Sequence, residues 1–229
     1  MANVSVIVPT FNERDNLGLL VEELSRVCVG LDFEVVVADD DSPDGTGELA
    51  DELAKKFPVV ALHRKVDKGL SPAVIDGFAR ASGEVFVVMD ADLSHPPELV
   101  PRLVEKVSEG FDVVYASRHV EGGGLSDWPF HRRLISRAAS FLARGLTKST
   151  DPMSGFFAVK RSVIEGVSLN PVGFKIGLEI LVKGKYRKYG EVGFVFRDRA
   201  AGESKLDSRV YVDYVRHLLR LYAFKLKRL

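Results

Sequence analysis

Short β-branched and aromatic runs recur along the first half of the chain, and apolar positions at helical spacing separate them. Val4-Ser5-Val6-Ile7-Val8 reads as a strand closed by Pro9. Leu17, Leu20, Val21 and Leu24 then fall on one helical face. Further strands are predicted at Phe33–Ala38, Val59–Leu62, Val85–Met89 and Val113–Ala116, with helices over Pro72–Ala81 and Pro97–Val107. Strand alternating with helix predicts a doubly wound, mostly parallel α/β sheet flanked by helices, its strands joined by right-handed crossovers.

Beyond about residue 120 the alternation weakens. Gly122-Gly123-Gly124 reads as flexible punctuation, Arg132–Leu146 as a basic amphipathic helix, Phe156–Val159 and Val192–Phe196 as added strands, and Tyr211–Leu229 as a final helix. We expect a catalytic domain over residues 1–208 and a C-terminal basic amphipathic helix over 209–229. Tyr211, Val215, Leu218 and Tyr222 share a stripe of that helix, beside Arg209, Arg216, Arg220, Lys225, Lys227 and Arg228. Such a helix lies on an anionic membrane surface or packs on the core, and the sequence leaves both open.

The 229 residues are 46% hydrophobic and 28% charged, with a formal net charge of +0. That balance offers no general field for nucleic acid. Cys28 is the single cysteine, expected to be a packed side chain in a reducing compartment. No stretch reaches the ~20 consecutive apolar residues of a membrane span, and no leader is visible.

In doubly wound sheets, ligands bind beyond the carboxyl ends of strands. Two acidic clusters are expected there. Asp90-Ala91-Asp92 ends the run Val85–Met89, and two carboxylates one residue apart suit a hard divalent cation, Mg²⁺ or Mn²⁺. Asp39-Asp40 ends the second strand. A carboxylate there accepts from the N–H groups of a nucleobase, or else faces the dipole of the next helix. Dinucleotide and ATP-binding glycine loops are absent, and the five histidines show no zinc spacing.

Pro9-Thr10-Phe11-Asn12-Glu13, Ala38-Asp39-Asp40-Asp41-Ser42-Pro43-Asp44-Gly45-Thr46 and Met89-Asp90-Ala91-Asp92-Leu93-Ser94-His95-Pro96-Pro97 together resemble the signature of family 2 inverting glycosyltransferases. Ser154-Gly155-Phe156-Phe157, Lys175–Glu179 and Gly202-Glu203-Ser204-Lys205-Leu206 narrow the resemblance to dolichol-phosphate mannose synthases. It covers Val4 to about Leu206 and implies a GT-A fold. It implies further that Pro9, Phe11, Glu13, Ala38 and Asp40 line the nucleotide pocket, with Ala91 against the donor. Asp90, Asp92 and Arg118 would carry catalysis, and Asp90, Asp92 and Ser94 would hold Mg²⁺ or Mn²⁺. Arg118, Arg199 and Lys205 would meet donor or acceptor phosphate, and Arg132 or Arg133 the lipid phosphate. Phe11 stands where Tyr is common, which removes a hydroxyl contact, and Ser94 where some members carry Gln.

The implied reaction is inverting transfer of mannose from GDP-mannose to dolichyl or another polyprenyl phosphate. The implied location is peripheral, at the cytoplasmic face of a membrane or on a membrane partner subunit. Rival readings are a polyprenyl-phosphate glucosyltransferase using UDP-glucose, a catalytically idle sugar-nucleotide-binding subunit and a sugar nucleotidyltransferase. The intact Asp90/Asp92 pair opposes the second, and the lack of a Gly-rich N-terminal loop opposes the third.

Overall fold

Strand β1 (Val4–Thr10) is buried along its length except at Pro9, because both of its faces are covered. Val4, Val6 and Val8 point to one layer with Leu17, Leu20, Val21 and Leu24 of α1 (Arg14–Val27) and with α4 (Val100–Ser108). Ile7 points to the other, with Val74 and Phe78 of α3 (Leu70–Arg80). This is the period-two division of a strand between two helical layers. Helix α3 sits so close that a Cβ on Gly77 would lie 2.5 Å from Ile7 Cγ2, so only glycine permits that approach.

The computed structural model describes residues 3–125, 130–196 and 208–227, with side chains described for 3–124, 134–196 and 210–227. The remaining elements are β2 (Phe33–Asp39), α2 (Thr46–Leu53), β3 (Val59–His63), β4 (Val85–Val88), β5 (Val113–Ser117), β6 (Gly124–Leu125) and α5 (Phe130–Ala143). They continue with β7 (Phe157–Lys160), α6 (Arg161–Ile164), α7 (Ile176–Lys183), β8 (Tyr189–Gly193), β9 (Val195–Phe196) and α8 (Ser208–Leu226). Seven strands form one sheet in the order β3-β2-β1-β4-β7-β5-β8.

The sheet is mostly parallel, as the alternation predicts, with one departure: β7 runs antiparallel to both neighbours, β4 and β5. Because β5 is antiparallel to β7, it is parallel to β4. The carboxyl ends of β1, β2, β4 and β5 therefore share one edge, and the residues just before Phe157 return to it.

Three further details differ from expectation. The run predicted as one strand at Val192–Phe196 breaks at Phe194, leaving β8 in the main sheet and β9 paired with β6 in a separate ribbon. The predicted glycine punctuation joins that ribbon through Gly124, while Gly122 makes the turn at φ 75°. The helix expected from Pro97 opens as a 3₁₀ turn (Pro97–Leu99), and α4 begins at Val100. An α-helix opening at Pro97 would need the N–H of residue 101 to donate to the Pro97 carbonyl, and Pro101 has none; the Val100 N–H takes that carbonyl instead.

Helix α8 uses one face for packing. Tyr214, Leu218 and Leu221 are buried with Ala143, Leu146 and Leu178. Tyr214 and Tyr222 donate to the carbonyls of Ala139 (2.6 Å) and Leu142 (2.7 Å) on α5. The predicted stripe of Tyr211, Val215, Leu218 and Tyr222 is thus divided: Leu218 faces the core, and the exposed row is Tyr211, Val215 and Leu219. Cys28 is buried, and burial pushes its thiol up to about 11. It is a packed side chain, as expected.

Candidate active site

One side of the edge is built by the turns after β1 and β2. Thr10 and Asp39 are partners in the parallel register, and Thr10 Oγ1 donates to Asp39 Oδ1 at 3.0 Å. The Ser42 N–H and hydroxyl also donate to Asp39, at 3.0 and 2.5 Å. The two turns are sewn together by backbone N–H groups. Asn12 donates to Ser42 Oγ (3.0 Å), Glu13 to Thr46 Oγ1 (3.0 Å) and Arg14 to Asp44 Oδ2 (3.2 Å). Pro9 and Ala38 pair across β1 and β2, Phe11 stands 40% exposed beyond them, and Glu13 accepts from Asn16 Nδ2 at 2.8 Å.

Asp40 is buried and already engaged. One oxygen accepts from the Arg64 guanidinium, and the other from the Gly69 N–H at 2.6 Å. Arg64 also donates to Asp76 (2.7 Å) and to the carbonyl of Asp67 (3.0 Å). No local sequence signal marks Arg64 as part of this edge; the parallel pairing of β2 with β3 brings it there.

Next along the edge, β4 ends in Asp90-Ala91-Asp92. Leu93 adopts a left-handed φ of 61°, and the turn closes with the Ser94 N–H donating to Asp92 Oδ1 at 3.1 Å. Asp90 is 35% exposed, whereas Asp92 and Ser94 are buried. Ala91 is buried beneath them. The Ser94 hydroxyl lacks a hydrogen-bond partner among the described residues. A buried orphan oxygen beside two carboxylates fits a hard cation that prefers oxygen donors.

His95 braces this turn from below. Its Nδ1 accepts the Asp90 N–H at 3.0 Å, and its ring stacks on Phe156 at 4.9 Å, with Phe194 and Phe196 at its edges. Burial drives its pKa down, and the Asp90 and Asp92 charges only partly oppose that. The ring is therefore neutral at physiological pH, with Nδ1 occupied as an acceptor.

The basic side comes from the end of β5. Arg118 forms a two-pronged pair with Asp151, Nε and Nη2 both at 2.7 Å, and its backbone N–H also reaches Asp151 at 3.0 Å. Burial alone would raise the Asp151 carboxyl, but the Arg118 hydrogen bonds overcome this and hold it below the usual range. Glu191 on β8 positions the Asp151 turn by accepting from Ser149 Oγ (2.9 Å) and from the Thr150 N–H (2.8 Å) and hydroxyl (2.6 Å). Lys175, just before α7, donates to the Met153 carbonyl at 2.8 Å.

The structure thus gathers Pro9, Phe11, Glu13, Ala38, Asp40, Asp90, Ala91, Asp92, Ser94 and Arg118 along one sheet edge. Arg199 and Lys205 lie outside the described residues. Arg132 and Arg133 fall within α5, but their side chains are not among those described. Arg64, His95, Asp151 and Glu191 join the site without having been singled out from the sequence. His95 had a signal, its place five residues after Asp90; the other three are assembled only by folding.

The family model "Glycosyl transferase family 2" matches residues 5–167. A dolichol-phosphate mannosyltransferase of Saccharomyces cerevisiae is 40% identical over 96% of this chain and 87% of its own length. The chain belongs to the dolichol-phosphate mannosyltransferases of glycosyltransferase family 2. A Mycosarcoma maydis relative of the same name is also 40% identical, over 96% of this chain and 79% of its own. A Pyrococcus furiosus relative is 53% identical over 95% of this chain, and the match spans 63% of that longer protein.

The fold matches solved glycosyltransferases at lower identity. Glucosyl-3-phosphoglycerate synthase from Mycobacterium tuberculosis, in complex with Mn²⁺, uridine diphosphate and phosphoglyceric acid, superposes with a TM-score of 0.70 at 21% identity. That match covers 98% of this chain and 78% of that one. Mannosyl-3-phosphoglycerate synthase from Rubrobacter xylanophilus gives 0.64 at 19%, covering 99% and 74%. The architecture is GT-A, as the sequence motifs imply.

Proposed function

We propose that this chain transfers mannose from GDP-mannose to dolichyl or another polyprenyl phosphate, with inversion at the anomeric carbon. The observation that carries the reading is that one sheet edge holds both the oxygens of Asp90, Asp92 and Ser94 and the Arg118–Asp151 pair, with Lys175 beside it. Acidic oxygens suit a divalent cation, and cations suit the phosphates of donor and acceptor. The similarity to named dolichol-phosphate mannosyltransferases supplies the sugar and the lipid.

Asp90, Asp92 and Ser94 are the groups that would hold Mg²⁺ or Mn²⁺, which would neutralise charge on the departing diphosphate. Pro9, Phe11, Glu13 and Ala38 would border the nucleotide, with Asp40 acting as a pair with Arg64. Arg118, Arg199 and Lys205 are assigned to donor or acceptor phosphate, and Arg132 or Arg133 to the lipid phosphate.

An acceptor phosphate is an anion at neutral pH, so its oxygen attacks the anomeric carbon without a general base. A bond forms from that oxygen to carbon, the bond from carbon to the diphosphate oxygen breaks, and its electron pair leaves with GDP. His95 agrees with this scheme. It is buried, it is neutral, and its Nδ1 is committed to the Asp90 N–H.

A lipid acceptor needs access to a membrane. Among the described residues no helix is long and apolar enough to cross one. Tyr211, Val215 and Leu219 form an exposed row on α8, and Phe141 and Leu142 are exposed on α5, against which the other face of α8 packs. Arg216 and Arg220 flank the row. We assign this surface to peripheral docking on a membrane or a membrane partner subunit, at the cytoplasmic face.

Calorimetry with GDP-mannose, GDP and UDP-glucose, each with and without Mn²⁺, tests the donor, and transfer to a polyprenyl phosphate in detergent tests the acceptor. Metal-dependent binding of GDP-mannose and GDP, together with transfer, is expected. A preference for UDP-glucose replaces the donor, and absence of transfer by the folded chain overturns the reading.

A further inference from the structure

Lys175 holds a charge that has no carboxylate counter-ion among the described residues. It stands at the N-terminal boundary of α7, half-buried, and its Nζ donates to the Met153 carbonyl at 2.8 Å. The ammonium also lies 4.3 Å from the centre of the Phe174 ring. Among the described residues no carboxylate comes within ion-pair distance of it. Arg118, by contrast, is matched oxygen for nitrogen by Asp151. A cation taken partly out of water costs free energy unless an anion pairs with it, and one carbonyl uses only one of its three donors.

The surroundings identify what is missing. The Met153 carbonyl that holds the ammonium lies two residues beyond Asp151, the partner of Arg118, so Lys175 stands beside that pair, and Arg118, Asp151 and Asp90 all act on it electrostatically. We propose that the Lys175 ammonium is a phosphate-binding group of this site, the cation that meets the oxygens of a bound phosphate or diphosphate once Asp151 has balanced Arg118. The inference rests on the phosphate-transfer reading above and adds a residue to it.

The free protein is poised for such a ligand. Burial, reinforced by repulsion from Arg118, lowers the Lys175 pKa to about 8, with Asp151 and Asp90 opposing. A bound anion restores the charged form. Near pH 8.5, binding should therefore draw in up to about three-quarters of a proton.

Calorimetry at pH 8.5 in buffers of differing ionisation enthalpy, with inorganic pyrophosphate and Mn²⁺ as the probe, reads this uptake directly. Uptake by the wild type and its loss in Lys175→Gln are expected, with the melting temperature little changed. In the transfer assay, Lys175→Gln should lose about 10- to 100-fold in kcat/KM, the scale of one charge-assisted contact. The rise in KM should fall on the nucleotide sugar if the donor diphosphate is held, and on the lipid phosphate if the acceptor is. No uptake by the wild type overturns the proposal, whether or not the variant folds. So does a variant that keeps both the uptake and kcat/KM. A wild type that takes up the proton but transfers no sugar overturns the phosphate-transfer reading and leaves Lys175 as an anion site.

Discussion

The Nδ1 of His95 accepts the backbone N–H of Asp90 at 3.0 Å, so the residue that ends the acidic motif's turn holds the backbone of the residue that begins it. His95→Phe keeps an aromatic ring against Phe156 but leaves that N–H without its acceptor. We expect a loss of about 1–2 kcal/mol in stability and a larger fall in kcat/KM than in nucleotide affinity. Denaturant unfolding beside steady-state kinetics checks this. Unchanged kinetics would show that the brace is dispensable.

The Arg118–Asp151 pair should behave as one unit. Asp151→Asn removes the charge that the buried Arg118 guanidinium grips with two nitrogens and is expected to cost about 3–5 kcal/mol. The folded pKa of Asp151 is depressed, so the pair's contribution is present above the unfolded carboxyl value near ~4 and is lost as pH falls through the folded value. The stability gap between wild type and Asp151→Asn should be widest at neutral pH and shrink in acid. Urea titrations from pH 7 to pH 3 read it.

Asp92→Ala should abolish Mn²⁺-dependent binding of GDP while the far-ultraviolet circular dichroism stays native. Ser94→Ala removes an oxygen that lacks a hydrogen-bond partner among the described residues, so its stability should hold or rise slightly. If Ser94 is a metal oxygen, the same variant weakens Mn²⁺ affinity, and calorimetry separates the two effects. Chelation of the metal should stop transfer, and added Mn²⁺ should restore it.

On α8 the two faces predict opposite phenotypes. Leu221→Ala, on the packed face, should destabilise by about 2–5 kcal/mol. Leu219→Glu and Val215→Glu, on the exposed row, should leave the melting temperature within a few degrees and reduce flotation with anionic vesicles. Flotation equal to wild type in the Glu variants would remove this face from the docking surface.

Most strands, the major helices and the placing of the Asp90 and Asp92 carboxylates at a strand end were legible in the chain because they rest on local signals. Period-two and helical spacing mark Val4–Val8 and Leu17–Leu24, and Asp90-Ala91-Asp92 is a three-residue pattern at a strand end. Residues joined by distant pairing were not legible. Asp151 finds Arg118 across 33 residues, and Arg64 finds Asp40 across 24. The antiparallel course of β7 depends on its neighbours in space, since a short apolar strand of four residues fits either direction. Helical spacing likewise placed Tyr211, Val215 and Leu218 together on α8, but burial of one side against α5 and α7 decided which apolar row met the core and which stayed exposed. Local patterning specifies what each segment prefers to be. Charge pairing, strand direction and the choice of buried face are set by partners many residues away, where chain folding alone brings the groups within hydrogen-bond reach.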